Sequence, residues 1–421
     1  MMNKKILHAH NFGHKNIGDD AMAENVYRKL SSIPGSEVTT ISTYAPPCEG
    51  GNDVRSLSGI VNDYGNILIK IFLVGTHRLK LTMLYLAYSW FCCEFCLLVA
   101  KIYKSTGLML LPFGASKKLI KSISTSDIYV RSGSGSLNDI WFWSSMYPQY
   151  TEARLCKLFD VKVYFTGQGI GPLTTPYRLK VLAIFVDCCT VITYRDITGS
   201  EQLIRSVAGV LKQHQTVGDD AFDYPKEPLS NDVDKLFDDG KKVLVCQFRP
   251  TNYEADLSEK YWRDVAKVLK DFVESDPSHE VVLVSFSNGR VSDLAVSKKL
   301  NKYADNSLIV LDQVFTAGQA KTLISKAYAA VGQSYHFGVF ALSENVPFLA
   351  LYTNKYYEDK HVGLLGWYQM ERYAVSQNDV DSLDKTLADI GREQLALRET
   401  LRHSNVAIVE NINKIFSTIS S

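Results

Sequence analysis

The stretch "DYPKEPLSNDVDKLFDDGKKVLVCQF", residues 223–248, decides the fold of this chain. Its first part, residues 223–240, is rich in Pro, Asp and Lys, which is typical of a linker between domains. The second part starts a new apolar run with the length and composition of a buried β-strand. The sequence therefore predicts that one α/β unit ends near residue 222 and that a second begins near residue 241.

Strand-like runs alternate with helix-length segments on both sides of this linker, which is the βαβ pattern of a parallel sheet. The runs before it are "KKILHAH", "EVTTIST", "SDIYVRSG", "VKVYFTGQG", "CTVITYRD" and "HQTVGDDAF", and those after it are "KVLVCQF", "EVVLVSF", "NSLIVL", "AYAAVGQ" and "PFLALY". We predict an N-terminal Rossmann-like domain over residues 1–222, a linker over 223–240, and a C-terminal Rossmann-like domain over 241–395. A helical segment over 383–421 is expected to pack back across the hinge. Ligands should collect in the cleft between the domains, at the carboxyl ends of the strands.

The overall composition limits the function classes. Lys and Arg number 46 and Asp and Glu number 45, so no global positive field attracts nucleic acid. The eight cysteines form no paired C-x-x-C modules and the start lacks a secretory signal, so we expect reduced thiols and a cytoplasmic location. The nine histidines show no ligand spacing; His8 and His10 share a strand face, which is more often structural than metal-binding. We expect neither a metal nor a cofactor.

One apolar segment raises the question of a membrane. Residues 81–100 read "LTMLYLAYSWFCCEFCLLVA", a length that suits a transmembrane helix, with Glu94 as the single charge. A mid-span carboxylate is costly in hydrocarbon, and strand-like segments on both sides belong to one domain. The sequence favours an interfacial or buried helix, and we expect peripheral association with the inner face of the membrane.

Glycine-bearing turns follow several predicted strands. Gly133, Ser134 and Gly135 follow one strand, and Gln168 and Gly169 follow another. Such turns either serve only the chain reversal or let the backbone approach a ligand closely. Arg195 also ends a strand, where it either grips a carboxylate or phosphate or pairs with the adjacent Asp196.

His336 stands where the run "AYAAVGQ" gives way to the helical pattern "FGVFALSEN". The first turn of a helix has unpaired N–H groups and the positive end of the helix dipole, so it favours an anion. A side chain that titrates near neutral pH is suited to transfer a proton there. The alternative is a histidine that merely caps or packs against the helix.

The ordered motifs "NIGDDAM", "SGSGSLND", "GQGIGP", "YRDITGS", "GDDAF", "VLVCQFR" and "SYHFGVFAL…VPFLALY…KYYEDKHVGLL" together resemble the polysaccharide pyruvyl transferase family. The likeness extends from Asn16 to about Leu365. It implies a fold like that of the GT-B glycosyltransferases and transfer of a pyruvyl group from phosphoenolpyruvate to a sugar of a surface glycan. In the family the motif at "SYH" is usually Arg-x-His, with the Arg on the donor and the His as acid catalyst. His336 matches this motif, whereas Ser334 stands at the Arg position.

The residues and the resemblance together define a candidate site with His336 as the catalytic group. The candidates for binding the anionic donor are Arg195, Arg249, Ser334, Tyr335, Lys355 and Lys360. The candidates for binding the acceptor are Asn16, Gly18, Asp19, Asp20, Gly133, Ser134, Gly135, Gln168 and Gly169. The expected partner is a glycan, lipid-linked in its precursor form, at a membrane surface.

Two other function classes fit the same sequence. A glycosyltransferase with a nucleotide-sugar donor would use the same cleft, with the diphosphate at the helix N-terminus near His336, and Ser334 makes this reading easier. A non-catalytic glycan-binding or scaffold protein is the second alternative.

Overall fold

The structure, a computed structural model, describes residues 4–11, 16–43, 54–62, 78–109, 114–208, 213–237, 240–250, 258–287 and 293–421. In this part of the chain two parallel β-sheets form, each from its own half of the sequence, and helices pack on them.

The first sheet contains seven strands in the order β3-β2-β1-β4-β5-β6-β7. They are β1 (Lys4–His10), β2 (Ser36–Ser42), β3 (Val54–Arg55), β4 (Ile128–Arg131), β5 (Lys162–Gln168), β6 (Val191–Tyr194) and β7 (Gln213–Thr216). Every pairing is parallel. The order reverses between β1 and β4, which makes that place the topological switch point of the sheet.

The second sheet contains six parallel strands in the order β10-β9-β8-β11-β12-β13. They are β8 (Lys242–Gln247), β9 (His279–Leu283), β10 (Ile309–Val310), β11 (Ala329–Gly332), β12 (Phe348–Tyr352) and β13 (Ala374–Ser376). Its switch point lies between β8 and β11. The central strands read as apolar runs because helices cover both faces of a parallel sheet.

The α-helices that the structure describes from end to end follow the strands in alternation. They are α1 (Ile17–Ser31), α2 (Arg78–Thr106), α3 (Gly114–Ser124), α4 (Tyr147–Leu158), α5 (Pro176–Cys188), α6 (Gly199–Ala208), α7 (Asn231–Asp234), α8 (Glu259–Ser275), α9 (Asp293–Tyr303), α10 (Ala317–Ser325), α11 (Tyr335–Ser343), α12 (Lys355–Leu365) and α13 (Val380–Ser420). A short π-helix (Phe142–Met146) precedes α4. This architecture confirms the predicted fold class: a two-domain α/β protein with a GT-B-like arrangement.

The two sheets are brought together at the start of α1. Asn16 forms an isolated antiparallel bridge with Ser287, and the Ile17 N–H donates to the Phe286 carbonyl at 3.4 Å. The N-terminal end of α1 therefore lies directly against the second domain, beside the loop that follows β9.

Helix α13 contacts both domains. In its middle, the Asn405 amide donates to the Leu342 carbonyl of the second domain at 2.8 Å. Farther along, Phe416 lies under the Lys29 ammonium of the first domain, 4.8 Å from nitrogen to ring centroid. A single helix thus packs across the boundary between the two sheets.

Within the described residues, α2 is the one helix long and apolar enough to cross a membrane, over Tyr85–Thr106, and a third of its apolar window is buried in the protein. Its buried side packs on the first domain through Cys93, Cys96, Leu97, Val99 and Ala100. Glu94 pairs with Arg154 at 2.7 Å and accepts from the Tyr147 hydroxyl at 2.9 Å, so the mid-helix carboxylate is held by protein partners. Trp90 and Phe91 are 48% and 58% exposed.

Candidate active site

Four strand ends from the two domains converge on one buried cluster. From the second domain, β11 leads into α11 and places His336 in its first turn, and β8 leads to Arg249. From the first domain, β6 ends next to Arg195 and β7 leads to Asp219. These are the carboxyl ends of parallel strands, where α/β proteins bind ligands.

His336 contacts charged residues on one side and a glycine on the other. Its Nε2 lies 3.4 Å from Arg195 Nη1 and 3.7 Å from Asp219 Oδ2. A Cβ atom added to Gly18 would lie 2.0 Å from the His336 Cγ and 2.2 Å from its Nδ1, so the backbone of α1 lies against the ring. Only glycine permits this approach of the two domains.

The electrostatic environment favours a neutral His336. Burial lowers the pKa of His336, the carboxylates of Asp219 and Asp19 oppose that shift, and the cations Arg195 and Lys360 add to it. At neutral pH the ring is therefore an uncharged imidazole that can accept a proton. An anion that binds nearby would raise the pKa of the ring and favour its protonated form.

Arg195 is held flat in the cleft. Its Nη1 donates to Asp219 Oδ2 at 2.8 Å, and its Cζ lies 4.2 Å from the centroid of the Tyr335 ring. A Cβ at Gly169 would be 3.0 to 3.3 Å from three guanidinium atoms, so the glycine loop covers another side of the group. The arginine is thereby oriented without a second carboxylate from Asp196, which instead accepts from the Ser200 N–H at 2.7 Å.

Arg249 has unused hydrogen-bonding capacity. Its Nε and Nη2 are buried, and no acceptor contacts them among the residues that the structure describes. The side-chain oxygen of Gln333 accepts from the Arg249 backbone N–H at 2.6 Å, while its Nε2 is likewise buried without a partner there. Buried unpaired donors are costly, and an anion at this strand end would satisfy them.

Lys360 is the third cation of the cluster. Its Nζ lies 4.1 Å from the Tyr356 ring centroid and would be 3.4 Å from a Cβ at Gly135. Burial lowers the pKa of Lys360 to about 7, Arg195 and Arg249 act in the same direction, and Asp19 and Asp196 oppose it. No carboxylate within the described ranges makes an ion pair with Lys360. Its charge is therefore sensitive to any anion that binds nearby.

The other predicted donor residues lie in different surroundings. Ser334 is the N-cap of α11, where its side chain makes no capping hydrogen bond, and its N–H donates to Gln247 Oε1 at 2.9 Å. Tyr335 supplies the ring beneath Arg195. Lys355 does not join the cluster: its side chain is 75% exposed and pairs with Asp359 and Glu358 of its own helix.

The predicted acceptor residues divide into two groups. In the first group, Asn16 caps α1 by accepting from the Gly18 N–H at 3.2 Å, and its amide donates to Asp19 at 2.9 Å. Asp19 is close enough to raise the pKa of both His336 and Lys360, and Asp20 lies beside it in the first turn of α1.

The second group forms the glycine turns after β4 and β5. The Gly133 N–H donates to Asp220 Oδ2 at 2.6 Å, and the Gly169 N–H donates to the Ser134 carbonyl at 2.8 Å. Gln168 is fully buried, and its amide donates to backbone carbonyls, among them that of Ser132 at 3.0 Å. Gly133, Ser134 and Gln168 thus hold the turns in place, whereas Gly135 and Gly169 face the cations.

Sequence reasoning missed two carboxylates of the "GDDAF" turn. Asp219 contacts both Arg195 and His336, and Asp220 joins the turn after β4 to strand β5 by accepting from the Gly133 N–H and from the Thr166 hydroxyl, each at 2.6 Å. Burial raises the pKa of Asp220 to about 7. The available signal was a pair of acidic residues directly after a predicted strand.

An open cavity of about 400 Å³ adjoins the cluster. Arg195, Tyr335 and Lys360 belong both to the cluster and to the wall of this cavity. The remaining wall comes from the loop 169–173, from α6 and from α12. Among the described residues no group of three His, Cys, Asp or Glu side chains is arranged to hold a metal ion.

These features define a class: a two-domain α/β protein of GT-B-like fold, with a buried histidine and three cations at the cleft between its domains. A family model described as polysaccharide pyruvyl transferase matches residues 16–355. The chain belongs to the polysaccharide pyruvyl transferase family, as its motifs indicated, and it is therefore a transferase of polysaccharide biosynthesis that acts on a polysaccharide acceptor.

Solved structures resemble the chain in fold. A putative UDP-N-acetylglucosamine 2-epimerase from Listeria monocytogenes is 10% identical with a TM-score of 0.59, covering 99% of this chain and 96% of that one. The S. aureus MnaA–UDP structure is 12% identical with a TM-score of 0.59, covering 99% and 97%. Phytolacca americana UGT2, complexed with UDP-2-fluoro-glucose and pterostilbene, is 11% identical with a TM-score of 0.55, covering 99% of both chains. Comparison with curated proteins gives no match.

Proposed function

We propose that this protein transfers the pyruvyl group of phosphoenolpyruvate to a sugar of a cell-surface polysaccharide or of its lipid-linked precursor, and so forms a pyruvate ketal. The observation that carries the proposal is the charge of the cleft: Arg195 and Lys360 act on His336, Arg249 acts on Lys360, and among these three cations only Arg195 makes an ion pair with a carboxylate of the described residues, Asp219. Phosphoenolpyruvate brings a carboxylate and a phosphate, the two groups that such a cluster neutralises.

The chemistry assigns the proton transfers to His336. A proton is added to the methylene carbon of the donor, and a sugar hydroxyl attacks the neighbouring carbon and gives up its own proton. The bond between that carbon and the bridging phosphate oxygen then breaks and phosphate leaves; a second sugar hydroxyl attacks the same carbon, gives up its proton and closes the ketal. A buried histidine at the cationic centre serves as the group that gives and takes the proton.

Positive charge reaches the donor site without the family arginine. Ser334 stands at that position, but Arg249, which follows β8 and has two buried guanidinium nitrogens without a partner among the described residues, is close enough to Lys360 of α12 to lower its pKa. The first turn of α11 adds backbone N–H groups and the positive end of a helix dipole. We infer that these groups together replace the missing side chain, with no metal or cofactor required.

The decisive experiment follows the reaction in deuterated water. Purified protein, phosphoenolpyruvate and a glycan acceptor should release phosphate and yield a ketal whose methyl group carries one solvent deuterium, detected by mass spectrometry and NMR. A nucleotide-sugar consumed in its place would establish the glycosyltransferase alternative. Glycan binding without turnover of either donor would establish the non-catalytic one.

Two simpler measurements separate the donors. Phosphoenolpyruvate should raise the melting temperature, whereas UDP should not, because only the specific ligand stabilises the folded state. Ser334→Arg, which restores the family pattern, should be tolerated or should tighten phosphoenolpyruvate binding. A larger shift with UDP, or loss of phosphoenolpyruvate binding in Ser334→Arg, would contradict the donor assignment.

We further propose that the acceptor is met at the cytoplasmic face of a membrane through α2. The exposed aromatic side chains Trp90 and Phe91, with Leu98 two turns later at 54% exposure, form an apolar strip of the kind that inserts into a lipid interface. Wild-type protein should sediment with anionic vesicles, and the variant Trp90→Ser/Phe91→Ser should remain in the supernatant with unchanged circular dichroism. Equal vesicle binding by both proteins would show that this strip is not the membrane-binding surface.

A further inference from the structure

The cavity beside the catalytic cluster is bounded by walls of different chemistry. The loop 169–173 contributes Ile170, Pro172 and Leu173, and α6 contributes Leu203, so one part of the wall is apolar. The polar part contains the amide of Gln202 on α6. A mixed lining of this kind suits a ligand with apolar ring faces and polar edges.

The wall of the cavity carries ionisable groups of both signs. Arg195 and Lys360 line the cavity, and so do the carboxylates Asp196 and Asp359. Two carboxylates would repel a phosphate-rich molecule, whereas hydroxyl groups can donate to carboxylates and accept from cations. The chemical class that fits is an uncharged, hydroxyl-rich ligand, and about 400 Å³ is room for one or two sugar rings.

Among the described residues, a contact between the two domains covers one side of the His336 ring. The backbone at Gly18 lies directly against the His336 ring, and Asn16 bridges to Ser287 next to it. A sugar cannot reach His336 through that contact. The cavity, in contrast, shares Arg195, Tyr335 and Lys360 with the catalytic cluster.

The cavity is also built from both domains. The Asn138 amide of the first domain donates to the Tyr356 hydroxyl of the second at 3.3 Å, and to the Gly135 carbonyl at 2.7 Å. This bridge holds Tyr356 at the wall of the cavity that Gln202 also lines. An aromatic ring at this position offers an apolar platform for the face of a sugar.

We propose that this cavity is the acceptor subsite: it binds an uncharged pyranoside, which contacts Tyr356 and hydrogen-bonds to Gln202, and presents its hydroxyls to the catalytic cluster. This assignment rests on the proposed function for the identity of the reaction, but it makes a binding prediction of its own. Gln202 and Tyr356 are specificity-determining residues, and neither was singled out by the sequence motifs.

The test uses the whole protein and a panel of p-nitrophenyl glycosides of galactose, glucose, mannose, N-acetylglucosamine and N-acetylmannosamine. Saturation-transfer NMR without donor should detect binding of at least one glycoside to the wild type. Gln202→Trp, which fills the cavity from an exposed helix position, should abolish that signal, and Gln202→Ala should weaken the affinity about 5- to 50-fold. The matched control is Arg205→Trp, an equally bulky change at an exposed position of the same helix outside the cavity.

Donor binding is measured in parallel by calorimetry with phosphoenolpyruvate. Both Gln202 variants should bind it like the wild type, and circular dichroism should show that they are folded. Unchanged glycoside binding in Gln202→Trp, equal loss in Arg205→Trp, or no saturation transfer to the wild type would each overturn the acceptor subsite. Failure of the wild type to bind phosphoenolpyruvate would instead remove the proposed function, while the glycoside signals would still decide what the cavity binds.

Discussion

Replacing Gly18 with alanine should damage catalysis through a contact that no substrate makes. A Cβ at residue 18 would lie 2.0 Å from the His336 Cγ, whereas carbon atoms in good contact are about 3.5 Å apart. The imidazole, or the N-terminal end of α1, must therefore move by roughly 1.5 Å. A displacement of about 1 Å at a catalytic group costs on the order of 10²-fold in rate.

We therefore expect Gly18→Ala to lower kcat at least ~10²-fold, which corresponds to about 2.7 kcal/mol of transition-state stabilisation. Overpacking should also lower the free energy of unfolding by about 1 to 3 kcal/mol. Donor affinity should change much less, because Arg195 and Arg249 follow strands β6 and β8, and the atoms nearest to a Cβ added at residue 18 belong to His336 instead.

The assay is steady-state phosphate release with phosphoenolpyruvate, combined with calorimetric donor binding and urea unfolding. Gly114→Ala is the matched control, because a Cβ there meets no atom within 4 Å and the residue also begins a helix. Wild-type turnover in Gly18→Ala, at normal stability, would refute the reasoning that the glycine sets the position of His336.

Further predictions concern charge and proton transfer. His336→Ala should lower turnover ~10²–10⁴-fold with donor binding largely intact, and full activity would remove the assignment. Arg249→Ala should act mainly through donor affinity, raising the calorimetric Kd, since the anion loses its charged partner; an unchanged Kd would contradict this. Because the pKa of Lys360 is about 7 and an anion raises it, phosphoenolpyruvate binding at pH 8 should take up protons, measurable by calorimetry in buffers of different ionisation enthalpy. The uptake should disappear in Lys360→Met, and its persistence would point to another group. Burial lowers the pKa of His10 to about 3 and that of His361 to about 4, so protonation of either ring destabilises the folded state. Their contribution is fully present above about pH 6.5 and is lost as the pH falls toward 4 and 3, so thermal melts should show a falling melting temperature over this range. A melting temperature that stays constant between pH 6.5 and pH 3 would contradict this contribution of the two histidines.

The fold could be predicted from sequence because its signal is periodic and local. Most strands of the two sheets are apolar runs, and the segment between residues 223 and 240 interrupts the alternation once. The short strands β3 and β13 carry too few residues for such a signal and were not predicted, and β7 is a polar run, QHQT. The family could be predicted for a related reason: the motifs lie at strand ends, where the backbone has to turn and where residues such as Gly169 are constrained by close contacts.

The arrangement of the site could not be predicted, because it depends on how the two domains dock. Arg195 and His336 are far apart in the chain and touch only because β6 and β11 end at the same cleft. Lys355 and Lys360 looked equivalent in sequence, yet five positions along a helix place them on different faces. One pairs with carboxylates in solvent, and the other lies over Tyr356 in the cleft.

The role of Gly18 also could not be predicted from the sequence. Its motif suggested a loop that contacts the acceptor, but its lack of a side chain is explained by the approach of His336 from the other domain. A glycine that serves a close contact and a glycine that serves a turn are identical in sequence. Only the partner surface distinguishes them.

The long helix α13 restricts how the cleft can open. Ile408 would contact a side chain added at Gly218 in the first domain at 2.9 Å, and Asn405, one turn earlier, is tied to Leu342 in the second. A translation that separates the two sheets would expose the buried side chains of Ile408, Ile412 and Phe416 to water. Rotation about the axis of α13 keeps that apolar seam closed. The two domains should therefore rotate about a hinge axis along α13, and substrates should enter and leave the cleft at the edge farthest from this helix.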